Sequence, residues 1–434
     1  MTPERSPGAA PADDYGFVAE LRTPCYVYDP EVAIARYRQL KARLGTRLIV
    51  SLKANPNQDL LARSAHAYED GVELASRGEL DIVIGRIKAP RYLNNPSMDE
   101  TLMRAGLASR CHFVLDNLDA VARFVPLARE ARAGGAEVGR LLLRLNAGAL
   151  AGAHSRANWH DHFGMTPNEA HQAVLALKAA GLPVAGLHVF SGPHSFARAG
   201  AAAPDTLGLP DALAALARDL AGANGAALES LSLGGGFAED AASHEASEAD
   251  DANPADGTAR PASGAGEDRH AEAFARYREA IAPLAGNWSL AHESGRAIFA
   301  DCGLFVTRVV AVKHWADRSI AVCDGGLSHA FLLAQTEAVM KRLAAPVLVR
   351  QGRGGDGNGG SGGSGGSGGK PRGVPTFYVG STCSRADVIG RDDHGAPPVP
   401  GDLAVFPRCG AYHRSYSMAH FLSHDAAHVY VRAA

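Results

Sequence analysis

Arg47-Leu48-Ile49-Val50-Ser51-Leu52-Lys53-Ala54-Asn55-Pro56-Asn57 decides how the chain is read. Four apolar residues (Leu48, Ile49, Val50, Leu52) make a short buried β-strand that ends on a lysine and breaks at Asn55-Pro56. A bare ammonium is costly at the tip of a buried strand. Lys53 therefore either reaches water or a carboxylate, or is a Schiff-base lysine whose amine a desolvated pocket makes nucleophilic.

Outward from this stretch the rhythm repeats. Apolar strands are read at 48–53, 71–76, 91–95, 112–117, 141–146, 184–190, 230–235 and 288–294, with amphipathic helical stretches between them. Eight such repeats predict a (β/α)8 TIM barrel. An open doubly wound sheet ranks lower, because no G-x-G-x-x-G opens the first helix. From about Gly303 the pattern turns to strands without helices: LFVTRVVAVKHW, SIAVCDGG, PVLVRQ, TFYVGS, DLAVFPR and HVYVRA. This predicts a C-terminal all-β domain, completed by the early strand around Cys25–Tyr28.

The expected division is a disordered tail (1–16), an N-terminal strand and helix joining the β-domain (17–45), a barrel (46–302) and the β-domain (303–434). Two insertions break the pattern. Residues 238–271 are acidic and nearly free of large apolar groups, so a mobile loop is expected there; 352–369 is a flexible Gly/Ser stretch.

The 434 residues are 46% hydrophobic and 21% charged, as in a soluble globular protein. A net charge of -3 gives no electrostatic case for nucleic acid or an anionic membrane. No apolar run is long enough for a membrane span, and MTPERSPGAAPADD lacks the core of a secretory signal, so a cytoplasmic location is expected. Six scattered cysteines form no C-x-x-C pair. Cys409, His413, His420 and His424 match no strong zinc spacing, so no metal is expected.

In a (β/α)8 barrel the chemistry sits beyond the carboxyl ends of the strands, with phosphate often held after the seventh and eighth. After the seventh comes Gly234-Gly235-Gly236, and after the eighth Glu293-Ser294-Gly295-Arg296. Glycines let backbone N–H groups approach an anion, and Arg296 adds a forked cation. A strand-end lysine facing a phosphate cradle points to pyridoxal 5'-phosphate (PLP), with Glu293 as the carboxylate for its ring nitrogen. Glu293 pairing with Arg296 or Arg144 is the competing reading.

The runs SLKAN (51–55), GVELASRGEL (71–80), LRLN (143–146), HFGM (162–165), GGGF (234–237), HESGR (292–296), CDGG (323–326), GSTCSRAD (380–387) and GAYHRSYSM (410–418) resemble the fold-type III PLP-dependent decarboxylases. That group acts on diaminopimelate, ornithine and arginine, with relatives in siderophore and antibiotic pathways. The resemblance implies that Lys53 carries the cofactor, that Glu293 pairs with its ring nitrogen, and that Gly234, Gly235, Gly236, Gly295, Arg296 and Tyr412 hold its phosphate. It implies Arg144 under the ring, and Asp324, Ser384 and Asp387 toward the substrate. Cys383 is the implied proton donor, supplied with Asp387 by the partner subunit of a homodimer.

Departures from the family pattern narrow the expectation. The ring-stacking histidine of an H-x-G-S pattern is read as replaced within Val189-Phe190-Ser191-Gly192-Pro193, so that Phe190 stacks and Ser191 stands near the phosphate. Ser294 replaces the proline of an E-P-G-R pattern, and Ser384 a substrate-binding carboxylate. Gly326-Leu327-Ser328-His329 lacks the arginine that follows the D-G-G turn in diaminopimelate decarboxylases. A second free cationic amine on the substrate is therefore disfavoured. The expected activity is α-decarboxylation of an amino acid or amino-acid conjugate in a biosynthetic pathway. The alternatives are racemisation or decarboxylation coupled to oxidative deamination, and a non-catalytic partner-binding homologue.

Overall fold

The computed structural model describes residues 12–151, 162–190, 208–237, 271–336, 341, 343–350, 374–418 and 420–433. The chain divides into two compact units, Pro30–Phe299 and the described parts of Met1–Asp29 with Ala300–Ala434. Both expected insertions, 238–271 except for its last residue and all of 352–369, lie outside the described residues.

Strand β1 (Cys25–Tyr28) belongs to the second unit. The next eight are β2 (Arg47–Ser51), β3 (Val72–Leu74), β4 (Arg91–Asn94), β5 (His112–Leu115), β6 (Leu141–Leu145), β7 (Gly186–Val189), β8 (Ser230–Ser232) and β9 (Ser289–Ser294). They pair in parallel, each with the next, and β9 closes on β2 through Ile49↔Glu293 and Val50↔Ser294. Parallel strands with helices outside are covered on both faces, which is why they read as near-continuous apolar runs. Side chains alternate, so Ile49, Tyr92, Val114, Leu142 and Ala291 pack together inside the barrel.

Polar side chains cap the start of five of the described helices. Asn57, Ser76, Asp99 and Asn117 accept from Leu60, Glu79, Leu102 and Ala120 N–H, and Thr166 forms a reciprocal capping box with Glu169. Helix Pro30–Leu44 groups with the barrel unit rather than with the β-strands, burying Ile34, Tyr37 and Leu40.

The second unit holds β10 (Gly303–His314), β11 (Ser319–Cys323), β12 (Val347–Val349), β13 (Thr376–Val379), β14 (Val388–Asp392), β15 (Leu403–Phe406) and β16 (His428–Val431). With β1 they form an eight-stranded sheet in which β1 runs antiparallel to β10 and parallel to β16. The tail expected to be disordered through residue 16 is ordered from Ala12, where a 3-10 helix (Ala12–Glu20) packs Tyr15 and Val18 against Cys25, Val27, Val306 and Leu403. Burying those two side chains offsets the cost of ordering the turn.

Candidate functional site

At the carboxyl ends of the barrel strands the inward positions change from apolar to polar. Lys53 lies in a 3-10 turn (Leu52–Ala54), two residues past the end of β2. Its side chain is 50% exposed, and Nζ lies 3.4 Å from Oε2 of Glu73 on β3. Glu73 is buried, and its carboxylate also accepts from Ser51 Oγ and, at 3.0 Å, from Asn94 Nδ2. The lysine thus has a fixed anionic partner that the sequence did not single out. The signal was available: Ser51, Glu73 and Asn94 occupy the last inward positions of three adjacent strands.

Across the barrel, Glu293 on β9 is buried, with its oxygens 3.1 and 3.2 Å from His188 Nε2. Ser232 Oγ donates to it at 3.4 Å. Burial alone would push the Glu293 carboxyl up, but His188, Lys53 and Arg144 outweigh it and hold it at about 2. The group is an ionised carboxylate inside the barrel.

His188 corrects the sequence reading. The pattern begins at His188, not at Val189: His188-Val189-Phe190-Ser191 keeps the histidine and puts Phe190 where the family pattern has glycine. His188 is 1% exposed and aimed into the barrel, and its Nδ1 has no partner among the described residues. Phe190 is the half-buried residue just after β7, and Ser191 lies outside the described residues. Chain direction hid this, because the histidine is the inward residue inside the strand and not the first residue after it.

Arg144 on β6 is pinned between Asp116, 3.5 Å from its guanidinium, and the ring of Phe163, 4.3 Å away. Gly234 and Gly236 take φ of +68° and +99°, and a Cβ on Gly235 would stand 2.4 Å from the carbonyl oxygen of Glu293. A Cβ on Gly295 would meet Ala54 at 2.6 Å and Ser51 O at 3.0 Å. The triple glycine, Glu293, the Gly295-Arg296 turn and the turn carrying Lys53 therefore lie side by side at one end of the barrel. Arg296, half-buried, opens the short helix Arg296–Phe299.

The other expected residues lie in the second unit. Asp324 is engaged on both oxygens, Oδ1 by Thr307 Oγ1 (2.8 Å) and Arg308 N–H (2.9 Å) and Oδ2 by Thr23 Oγ1 (2.6 Å). Asp387, 2% exposed, accepts from Leu327 N–H (2.7 Å) and from Thr382 N–H and Oγ1 (3.0 and 2.6 Å). Both carboxylates brace turns of their own unit, a use that the motif spacing did not reveal. Cys383 is exposed on the turn that Asp387 braces, Ser384 Oγ accepts from Ala386 N–H at 3.2 Å, and Tyr412 sits at φ +66°. Among the described residues no group of three His, Cys, Asp or Glu is disposed to hold a metal, and no helix is long and apolar enough to cross a membrane.

Comparison with known proteins agrees with this geometry. The family described as "Pyridoxal-dependent decarboxylase, pyridoxal binding domain" matches residues 32–300. The L-glutamyl-[BtrI acyl-carrier protein] decarboxylase of Niallia circulans is 24% identical over 415 residues, 93% of this chain and 87% of that protein. Diaminopimelate decarboxylase of Deinococcus radiodurans is 30% identical over 176 residues, 39% of this chain and 43% of that one. Among solved structures, the lysine/ornithine decarboxylase of Vibrio vulnificus superposes with a TM-score of 0.70 at 20% identity, covering 97% of this chain and 98% of that one. The two-part fold is thus shared along the whole length, and the barrel carries the family's cofactor-binding signature: the chain belongs to the pyridoxal-dependent decarboxylases of fold type III.

Proposed function

We propose that this PLP-dependent amino-acid decarboxylase acts on a pathway-specific amino acid or amino-acid conjugate in a biosynthetic sequence of the siderophore or antibiotic type. The observation that carries the proposal is the match over 93% of the chain to an enzyme named for a glutamyl group on a carrier protein. Ser384, in place of the substrate-binding carboxylate of the family pattern, supports it, because a serine offers no counter-charge to a second ammonium.

The residues present fit PLP. They offer a half-exposed amine at a strand end, an ionised carboxylate inside the barrel, and glycines beside it where a Cβ would collide. When bound, PLP supplies an electron sink for the electron pair left by the departing carboxylate. Lys53 would be the amine that holds it, and Glu73 steadies that amine as its counter-charge. Glu293, kept ionised, stabilises a proton on the ring nitrogen, and His188 and Ser232 fix its orientation. Gly234, Gly235, Gly236, Gly295 and Arg296 would hold the phosphate, and Arg144 keeps its place through Asp116 and Phe163. Cys383 and its turn come from the partner subunit of a homodimer, with the exposed thiol as proton donor. His188 removes the main support for racemisation or oxidative chemistry, which rested on a missing histidine.

The test is CO2 release from free glutamate, ornithine, lysine and diaminopimelate, and from the same amino acids joined as thioesters to a carrier protein. The conjugate, or a free amino acid without a second ammonium, gives the highest kcat/KM. A clear preference for a free diamino acid overturns the proposal.

A further inference from the structure

The second unit contains a feature that the decarboxylase chemistry does not use. Arg22, Thr23, Asp324, His329, His424 and Asp425 are among the residues lining a cavity of about 210 Å3, as is His428. At ~30 Å3 per water, it has room for a small organic group. The imidazoles of His329 and His424, both lining it, stack on one another, 5.7 Å apart and 16° from parallel.

The hydrogen bonds here fix which atoms are donors. His329 Nε2 faces the carbonyl oxygen of Asp425 at 3.1 Å, and a carbonyl only accepts, so Nε2 carries the proton. His329 Nδ1 receives the Gly326 N–H at 3.4 Å, so it is the acceptor. Burial lowers the His329 pKa, in keeping with this neutral tautomer. Ser328 Oγ lies 3.2 Å from that Nδ1 and therefore donates to it. The same oxygen, its single proton committed, lies 3.0 Å from His424 Nδ1 and must accept there. His424 Nδ1 thus carries hydrogen, so in the neutral ring the lone pair is on Nε2. That atom makes no hydrogen bond among the described residues.

We infer that this cavity is a binding site for an N–H donor, an amine or amide group of a small ligand, with His424 Nε2 as the acceptor. The surrounding charge agrees with that choice: Asp324 and the exposed Asp425 are negative, and Arg22 is the one permanent cation among the lining residues. Asp324 makes no direct claim on the ligand, because both its oxygens are already engaged. A carboxylate ligand would meet a lone pair and two negative charges.

The test uses the full chain loaded with PLP and labelled with 13C at the histidine Cε1. His424 is assigned from the resonance that His424→Gln removes. Four probes are titrated separately: dimethylammonium, N-methylacetamide, tetramethylammonium and acetate. The two N–H donors move the His424 resonance along a saturable curve, whereas acetate and tetramethylammonium leave it in place. Ser328→Ala, which frees the tautomer, lowers the preference for N-methylacetamide over acetate by about tenfold, the worth of one hydrogen bond. A shift with acetate as large as with the amide, an equal response to both cations, or no response to either N–H donor overturns the inference. The visible PLP absorbance is followed in the same samples, so a failure of this site is distinguishable from a failure of the decarboxylase reading.

Discussion

Replacing Glu73 by glutamine isolates what its charge does for Lys53. Glutamine keeps the packing: its carbonyl oxygen can still accept from Asn94 Nδ2, and its amide can donate to Ser51 Oγ once that hydroxyl turns. What disappears is the attraction across 3.4 Å. That attraction is ~1 kcal/mol with water-like screening and ~5 kcal/mol at an effective dielectric of 20. Lys53 is 50% exposed and Glu73 3%, so an intermediate value of ~2–3 kcal/mol applies. At ~1.4 kcal/mol per pH unit this equals about two units. In its proposed role the Lys53 ammonium must lose its proton before its nitrogen can hold the cofactor, and Glu73 opposes that loss. The assay is the rate at which the visible band grows when PLP is added to the stripped protein between pH 5 and 10. In Glu73→Gln the midpoint of the profile moves to lower pH by about two units, while the melting temperature changes little. Glu73→Ala gives the same kinetic shift but also destabilises, by ~1–3 kcal/mol for each orphaned partner, Ser51 and Asn94. An unmoved midpoint in Glu73→Gln refutes the reasoning and leaves Glu73 as a structural brace.

Acid weakens the fold in two stages. His292 is buried between Thr46 Oγ1 and Tyr277 OH, and burial holds its pKa at about 3 against the usual 6.5. The unfolded chain therefore binds a proton that the folded one refuses, and stability falls by up to ~1.4 kcal/mol per unit as pH drops below 6.5. His112, lowered to about 4, acts in the same direction. Glu293, held at about 2, contributes stability that is present above 4.5 and is lost as pH falls from there, so denaturant midpoints steepen their decline below 4.5. A midpoint that is flat from pH 7 to 4 contradicts both. Asp387→Ala strands Leu327 N–H and Thr382 and costs ~2–4 kcal/mol, read as a lower melting temperature, with PLP absorbance at the barrel retained. Gly235→Ala forces a Cβ to 2.4 Å from the Glu293 carbonyl, so PLP affinity falls at least about tenfold in equilibrium titration. If active sites are shared between subunits, inactive Lys53→Ala and Cys383→Ala proteins regain activity when mixed, up to roughly a quarter of wild type after random exchange. No recovery after verified exchange places Cys383 and Lys53 on the same chain's site.

The sequence displayed the barrel because parallel strands covered on both faces leave little but apolar residues, and 48–53 and 141–146 contain just such runs. The sheet of the second unit was partly legible. Strand β14 (Val388–Asp392) escaped because Val-Ile-Gly-Arg-Asp has two apolar residues and a glycine, and its identity comes from pairing with β13. The ordered turn at Ala12–Glu20 escaped for a related reason. Its local composition is that of a loop, and only packing on Cys25 and Val306 fixes it.

The site was legible where function demands a particular residue type and obscure where it demands only a position. Lysine, triple glycine and Glu293 announce themselves by chemistry. His188 and Glu73 do not, because a histidine and a glutamate within strands have many ordinary uses. Strand parity would have found them. Taking Arg144 and Glu293 as inward residues, a two-residue step along each strand turns Ser51, Glu73, Asn94, Asp116, His188 and Ser232 to the same interior, and these are the groups the structure joins by hydrogen bonds and ion pairs. One layer below, Ile49, Tyr92, Val114, Leu142 and Ala291 follow from the same step. A barrel sequence thus encodes its site as a change of polarity between successive inward layers. That change is invisible to motif spacing, since the loops between strands vary in length, and it becomes readable once a single inward residue is fixed on each strand.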